Sequence, residues 1–373
     1  MHAHPHRVFS LCAAACLLSV SPLAGADFDW RLPPGFPKPV VPVENPMNGA
    51  KVELGRYLFY DTRMSVNGKS SCGTCHRQEL AFTDGKPRSV GTTGEQHPRR
   101  SMSLVNVAYA PYLTWANANL TSLEEQALVP MLGTKPVELG LLGHEREFLA
   151  TVAAEPIYIR LFPEAFPGER DPYTLPNVTR AIAAFERTII SLRSPYDRYR
   201  WYGEMDALSD SAKRGGIIFA SGERGRCFRC HGGWNFGPVR FEQTEARKEF
   251  ANGPFFNTGA TMYAAPNRGL FEQTGRNVDI GKFRVPSLRN IAVITPYMHD
   301  GSIPTLEAVI EHYVAGGRFP HPNKSEIIRP LTLTEQDKQD LIAFLNSLTD
   351  REALTDPRWS DPWPAARAQR QPR

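Results

Sequence analysis

Apolar residues along the chain fall into a few helix-length patterns separated by long stretches with no period. Residues 8–23 form a mostly apolar run without a charge. Residues 30–49 then hold six prolines. Proline lacks the amide proton that helices and central strands use, so an extended arm over the surface is expected here. Val52, Leu54, Leu58 and Phe59 follow at the spacing of one helix face. A similar phrase, SAKRGGIIF, occupies 211–219. Two later helical patterns also resemble each other: TRAIAAFERTIISL at 179–192 and QDLIAFLNSL at 339–348. Opening helix, long loop, closing helix: the order occurs twice. The pattern predicts an all-α chain with little β structure, built as tandem units at 27–195 and 196–350. Their linker is expected near SPYDRYRWYG at 194–203. Residues 351–373 are read as a tail, of which 356–373 is expected to be loosely ordered.

Arg7, the apolar run and the small residues Ala24, Gly25 and Ala26 together read as a secretory signal over 1–26, with an uncleaved anchor as the alternative. No later uncharged run approaches the ~20 residues of a membrane span, so no further span is expected. Net charge is +4, or +3 without Arg7, and is spread along the chain. Such a balance gives no argument for nucleic acid or a membrane surface as partner.

Cysteine changes the picture. Of six, Cys12 and Cys16 lie in the leader. The other four form SCGTCH at 71–76 and RCFRCH at 226–231, each a C-x-x-C-H unit placed after an opening helix. Cysteines at i and i+3 lie on one side of a helical turn, so both sulfurs can bond the vinyl groups of one haem. The next residue, histidine, then sits under the iron. A zinc site would want the two pairs roughly 15–20 residues apart, whereas 151 residues separate Cys75 from Cys227. A thioredoxin-like pair leaves the trailing histidines unexplained. The reading is two covalent c-type haems held by Cys72, Cys75, Cys227 and Cys230, with His76 and His231 as proximal ligands. The opposite faces are not assigned by composition. Met64, Met102, Met131, Met205, Met262 and Met298 are candidates, and most methionines are core filler.

Several further phrases carry a resemblance: LGRYLFYDTRMS at 54–65, FTDG at 82–85, ERT at 186–188, GKFRVPSLRN at 281–290 and YMHDG at 297–301. Together with the haem motifs they resemble the bacterial di-haem cytochrome c peroxidase and MauG superfamily across nearly the whole chain after the leader. WAN at 115–117 and ALVPMLGTKPVELG at 127–140 look most like the MauG-like enzyme of methanobactin operons. The resemblance implies two tandem cytochrome c-like domains and a periplasmic location. It also places Thr92 where conventional relatives carry a removable distal histidine, which leaves the first iron open. His97 lies nearby and reads as an ordinary loop histidine. Tyr313 falls where the second haem's distal ligand belongs, with Met298 as the next candidate; phenolate favours oxidised iron. Glu138 matches the distal acid and Pro130 a residue near the open face, although two extra residues separate them. Trp115 matches the tryptophan between the haems, and Trp201 and Trp234 are further relay candidates.

Relatives hold an inter-haem calcium with help from an asparagine in a Pro-Arg-Asn phrase; here the phrase is Pro98-Arg99-Arg100. Either calcium binds through backbone and water around Ile294 and Pro296, or the guanidinium takes over its charge. The expected function is a peroxide-driven oxidase. Through a high-valent bis-haem state it would oxidise a Trp or Tyr of a secreted partner protein, for instance Trp to kynurenine in a small copper-binding protein. An ordinary peroxidase fed by a small cytochrome or cupredoxin is the alternative, and a plain electron-transfer cytochrome the third reading.

Overall fold

The computed structural model describes residues 28–240 and 254–363. The leader reading falls outside them. Among the described residues the chain is mostly helical, with one two-stranded antiparallel ribbon, β1 (Phe255–Phe256) and β2 (Phe283–Arg284). The first half carries α1 (Gly49–Tyr60), α2 (Cys72–Cys75), α3 (Leu123–Leu132), α4 (Glu145–Ala153), α5 (Pro156–Ala165) and α6 (Leu175–Arg187). After it come α7 (Pro195–Trp201), α8 (Asp210–Ala220), α9 (Phe228–His231), α10 (Phe271–Thr274), α11 (Leu306–Val314) and α12 (Glu335–Asn346).

Local chemistry sets the helix starts. Asn48 accepts from Lys51 N at 2.7 Å to cap α1, and Thr174 caps α6 ahead of Pro176 in its first turn. Thr334 and Asp337 cap each other's backbone at the start of α12.

The sequence repeat becomes a repeat of packing. α1 crosses α6, and α8 crosses α12, each at a glycine. A Cβ on Gly55 would lie 1.9 Å from Ala181 O, and one on Gly215 would lie 1.9 Å from Asp340 O. Side chains from the two helix pairs then found separate cores. Leu54, Leu58, Phe59, Ile182 and Phe185 belong to the first. Ile218, Phe219, Leu341, Phe344 and Leu345 belong to the second. A further repeat, SLVN at 103–106 and SLRN at 287–290, emerges in the backbone: Asn106 and Asn290 both take left-handed φ, 57° and 58°. Their amides tie the halves together. Ser191 N donates to Asn106 Oδ1 (2.9 Å), Asn290 Nδ2 to Ser191 Oγ (3.1 Å), and Ser191 Oγ to Asp350 Oδ2 (3.0 Å). The fully buried Arg289–Asp197 pair, 2.6 Å apart, fixes the same seam.

Two expectations at the chain's ends meet different outcomes. The proline-rich arm runs without helix or strand over 28–48 and is pinned where Tyr109 Oη donates to Pro37 O at 2.7 Å. The loose tail needs correction over 356–363. Trp359 is buried, Tyr60 Oη donates to Trp359 O (2.6 Å) and Trp363 Nε1 to Tyr57 O (3.0 Å). Two tryptophans with core partners outweigh the prolines and charges around them.

Candidate active site

Each C-x-x-C-H unit opens onto its own cavity. In the first, of about 510 Å³, Cys72, Cys75 and His76 share the lining with Pro130, Glu138, His97 and Glu186. In the second, of about 220 Å³, Cys227, Cys230 and His231 share it with Met298, His299 and Tyr313.

The two histidines are held alike. His76 Nδ1–H donates to Phe82 O at 2.8 Å and His231 Nδ1–H to Phe236 O at 3.0 Å. A carbonyl can only accept, so Nδ1 carries the proton and Nε2 keeps its lone pair. Phe82 and Phe236 both adopt left-handed φ, 60° and 49°, as the chain turns back over its histidine. Burial pushes both imidazoles down, His231 to about 4, so they stay neutral donors. The four thiols are free of disulfides, and burial pushes Cys75 and Cys230 up to about 11 and Cys227 to about 12.

The wall between the cavities is common property. Arg100, Ser101, Met102, Ser103, Trp115 and Arg284 line both. Trp115 Nε1 donates to Arg100 O at 2.9 Å. Arg284, half-buried, donates to Thr114 O (3.0 Å) and Met102 Sδ (3.3 Å). Met102 is thereby engaged, while Met64 and Met131 are core and Met205 and Met262 are on the surface.

Tyr313 sits on α11 with Leu306, Val309 and Ile310, residues spaced to share one helix face, and all four line the second cavity. Burial, then the nearby Cys230 and Cys227 thiols, drives the phenol well above its ordinary range. It ionises there only if a cation compensates, as bound iron would.

The first cavity differs from expectation in detail. Thr92 is absent from its lining; the side chain packs toward Gly140 and its N donates to Glu138 O at 2.8 Å. His97, read as a loop histidine, does line the cavity. Its Nε2 is 4.0 Å from Glu138 Oε1, and Arg99 N donates to its Nδ1 at 3.0 Å. Burial raises the Glu138 carboxyl to about 7. Glu186, to which no role was given, also faces this cavity, and burial first of all raises it to about 8, so it is protonated at neutral pH.

A haem fits these walls. Each cavity supplies two half-buried thiols and a neutral imidazole. The buried Arg100 Nε and Nη2, His299 Nε2 and Glu186 Oε2 have no hydrogen-bond partner in the protein, as expected where the ring and its carboxylates would complete the bonding. Calcium fits poorly. Arg100 Nη1 donates to Ile294 O (3.2 Å) and to Pro296 O, the two carbonyls considered for the ion. No cluster of three acidic, histidine or cysteine side chains suited to a metal occurs among the described residues.

Comparison with known proteins agrees with this geometry. Residues 49–205 match the family described as di-haem cytochrome c peroxidase. Cytochrome-c peroxidase IdrP1 of Denitromonas iodatirespirans is 36% identical, over 92% of this chain and 93% of its own. The chain belongs to the di-haem cytochrome c peroxidase and MauG family. Methylamine utilization protein MauG of Methylorubrum extorquens is 35% identical over 90% of this chain and 88% of its own. A crystal structure of a MauG-like protein associated with microbial copper homeostasis superposes with a TM-score of 0.86 at 43% identity. It covers 90% of this chain and 100% of that one. The family makes the chain a two-haem oxidoreductase. Arg284 and Glu186 were within reach of sequence reading: both stand in quoted family phrases, GKFRVPSLRN and ERT.

Proposed function

We propose that this chain is an exported, periplasmic di-haem oxidase of MauG type, with both haems bonded through the cysteine pairs, that uses hydrogen peroxide to oxidise a Trp or Tyr side chain of a partner protein. The observation that carries the reading is the asymmetry of the cavities. The second offers a phenol, Tyr313, in the same lining as its histidine unit, while the first offers the Glu138–His97 pair. When bound, the two haems supply the redox-active iron at which peroxide is reduced.

The protein's own groups divide the remaining work. Peroxide needs a proton moved from its inner to its outer oxygen before the O–O bond breaks, and a Glu138 carboxyl near 7 suits both halves of that transfer. His97 fixes the carboxyl's environment. Trp115, in the wall of both cavities, is the aromatic group through which electrons pass between them. Each peroxide consumes two electrons and two protons, so two electrons leave the partner per turnover. A partner need not enter either cavity.

The resemblance at 43% identity to a protein associated with copper homeostasis supports a small secreted copper-binding partner, with Trp converted toward kynurenine. The relative named as a cytochrome-c peroxidase supports the second reading, peroxide reduction with electrons from a small cytochrome or cupredoxin. Peptide mass spectrometry of a small secreted copper-binding protein, after incubation with holoenzyme and peroxide, tests the choice. Oxygen added at a tryptophan supports the oxidase. An unmodified partner, with peroxide consumed only when a reduced cytochrome is supplied, overturns it.

A further inference from the structure

The shared wall holds a permanent cation. Arg100 follows Arg99, whose Nε donates to Asn267 Oδ1 at 2.9 Å. Its own backbone is pinned on both sides: Arg100 N donates to His299 O at 3.0 Å, and Arg100 O accepts from Trp115 Nε1 at 2.9 Å. The guanidinium is therefore fixed between the cavities, not swung from solvent. One nitrogen, Nη1, takes the carbonyls of Ile294 and Pro296. The other donors, Nε and Nη2, are buried without a protein partner, in a residue that lines both cavities.

We infer that the Arg100 guanidinium occupies the inter-haem cation position itself, so that this protein couples its haems without calcium, and that Nε and Nη2 are the donors for haem carboxylates. The inference rests on the two-haem reading above.

Three physical points support it. A calcium ion wants six to eight oxygens at about 2.3–2.6 Å, and here the two backbone oxygens already accept from a cation. A divalent ion placed beside them would also face a buried like charge, which water screens poorly there. Finally, arginine has five donors and no acceptor, so it can bridge carbonyls to carboxylates but cannot ligate a metal. Burial lowers the group only to about 10, with Asp84 nearby pulling the other way, so it remains charged at neutral pH. Arg284 lies in the same wall and adds a second, half-buried guanidinium. One consequence follows for the redox chemistry: a single charge favours the reduced haems less than a divalent ion would, which suits an oxidase.

The test uses full-length holoprotein. Haem per chain is measured first, because fewer than two haems would overturn the di-haem reading rather than this one. Wild-type protein is then treated with EGTA, desalted, and examined by metal analysis and by optical and electron paramagnetic resonance spectra. The expected result is no stoichiometric calcium and unchanged spectra. Stoichiometric calcium whose removal alters the spectra overturns the inference. Arg100→Asn is expected to shift the haem spectra and to respond to added calcium, while Arg100→Lys stays closer to wild type. An Arg100→Asn holoprotein with wild-type spectra and no response to calcium would also overturn it. If that variant does not fold, the wild-type measurement decides alone.

Discussion

Glu138→Gln separates proton transfer from every other role of the first cavity. The amide keeps the size and the hydrogen-bonding reach of the side chain but cannot accept and return a proton. Removing a positioned acid–base group costs about 10²–10⁴-fold in rate. The wild-type pH profile follows from the same residue. Burial places its carboxyl at about 7. The form able to take peroxide's first proton is therefore about a tenth of the total at pH 6 and about nine-tenths at pH 8. Raising the pH across this window should speed the bimolecular reaction with peroxide roughly tenfold, and the gain should vanish in Glu138→Gln. His97 does not blur the reading, because burial lowers its pKa and it is neutral over the upper part of the range. Stopped-flow mixing of ferric holoprotein with peroxide, followed in the Soret band, measures both quantities. A Glu138→Gln variant with the wild-type rate constant and the same pH profile would remove the carboxyl from the chemistry.

The repeated helix crossings and the proposed Tyr313 ligand can be tested in the same way. Gly55→Ala and Gly215→Ala each put a methyl 1.9 Å from a backbone oxygen. Parting the helices to make room should cost about 3 kcal/mol or more, in the range of large core cavities. Gly49→Ala, with open space around its Cβ, should be neutral or stabilising by up to ~1 kcal/mol. Denaturant midpoints of the three variants check this, and equal midpoints would refute the close-crossing argument. Tyr313→Phe should shift the second haem's spectrum while leaving haem content at the wild-type level; an unaltered spectrum would remove the phenol as a ligand.

What was legible in the sequence was what depends on neighbours a few residues away. C-x-x-C-H places two sulfurs and an imidazole on one helical turn wherever that turn lies, so the cysteines and histidines of both cavities could be read directly. The repeat was legible for a related reason: the apolar spacing of residues 52–59 and 179–192, and of their later counterparts, records faces that each helix must bury. The glycines stood in plain view, but only the crossings explain them. Residues whose meaning depends on distant partners could not be read this way. Thr92 held the family's position yet does not line the cavity, while His97, five residues on, lies near Glu138. The tail was expected to be loose until α1 met its tryptophans, Tyr57 O accepting from Trp363 Nε1 and the Tyr60 hydroxyl donating to Trp359 O.

By itself, then, the amino-acid order determined the two attachment units, the helical repeat and the family. Tertiary structure decided which side chains share a wall and how strongly each is desolvated. Glu138 is an ordinary glutamate until burial raises its carboxyl, and Arg100 is a surface-type residue until the fold carries Ile294 and Pro296, nearly two hundred positions away, to its guanidinium. Covalent chemistry acts through adjacent bonds, whereas charge and solvation act through space, and only the folded chain defines that space.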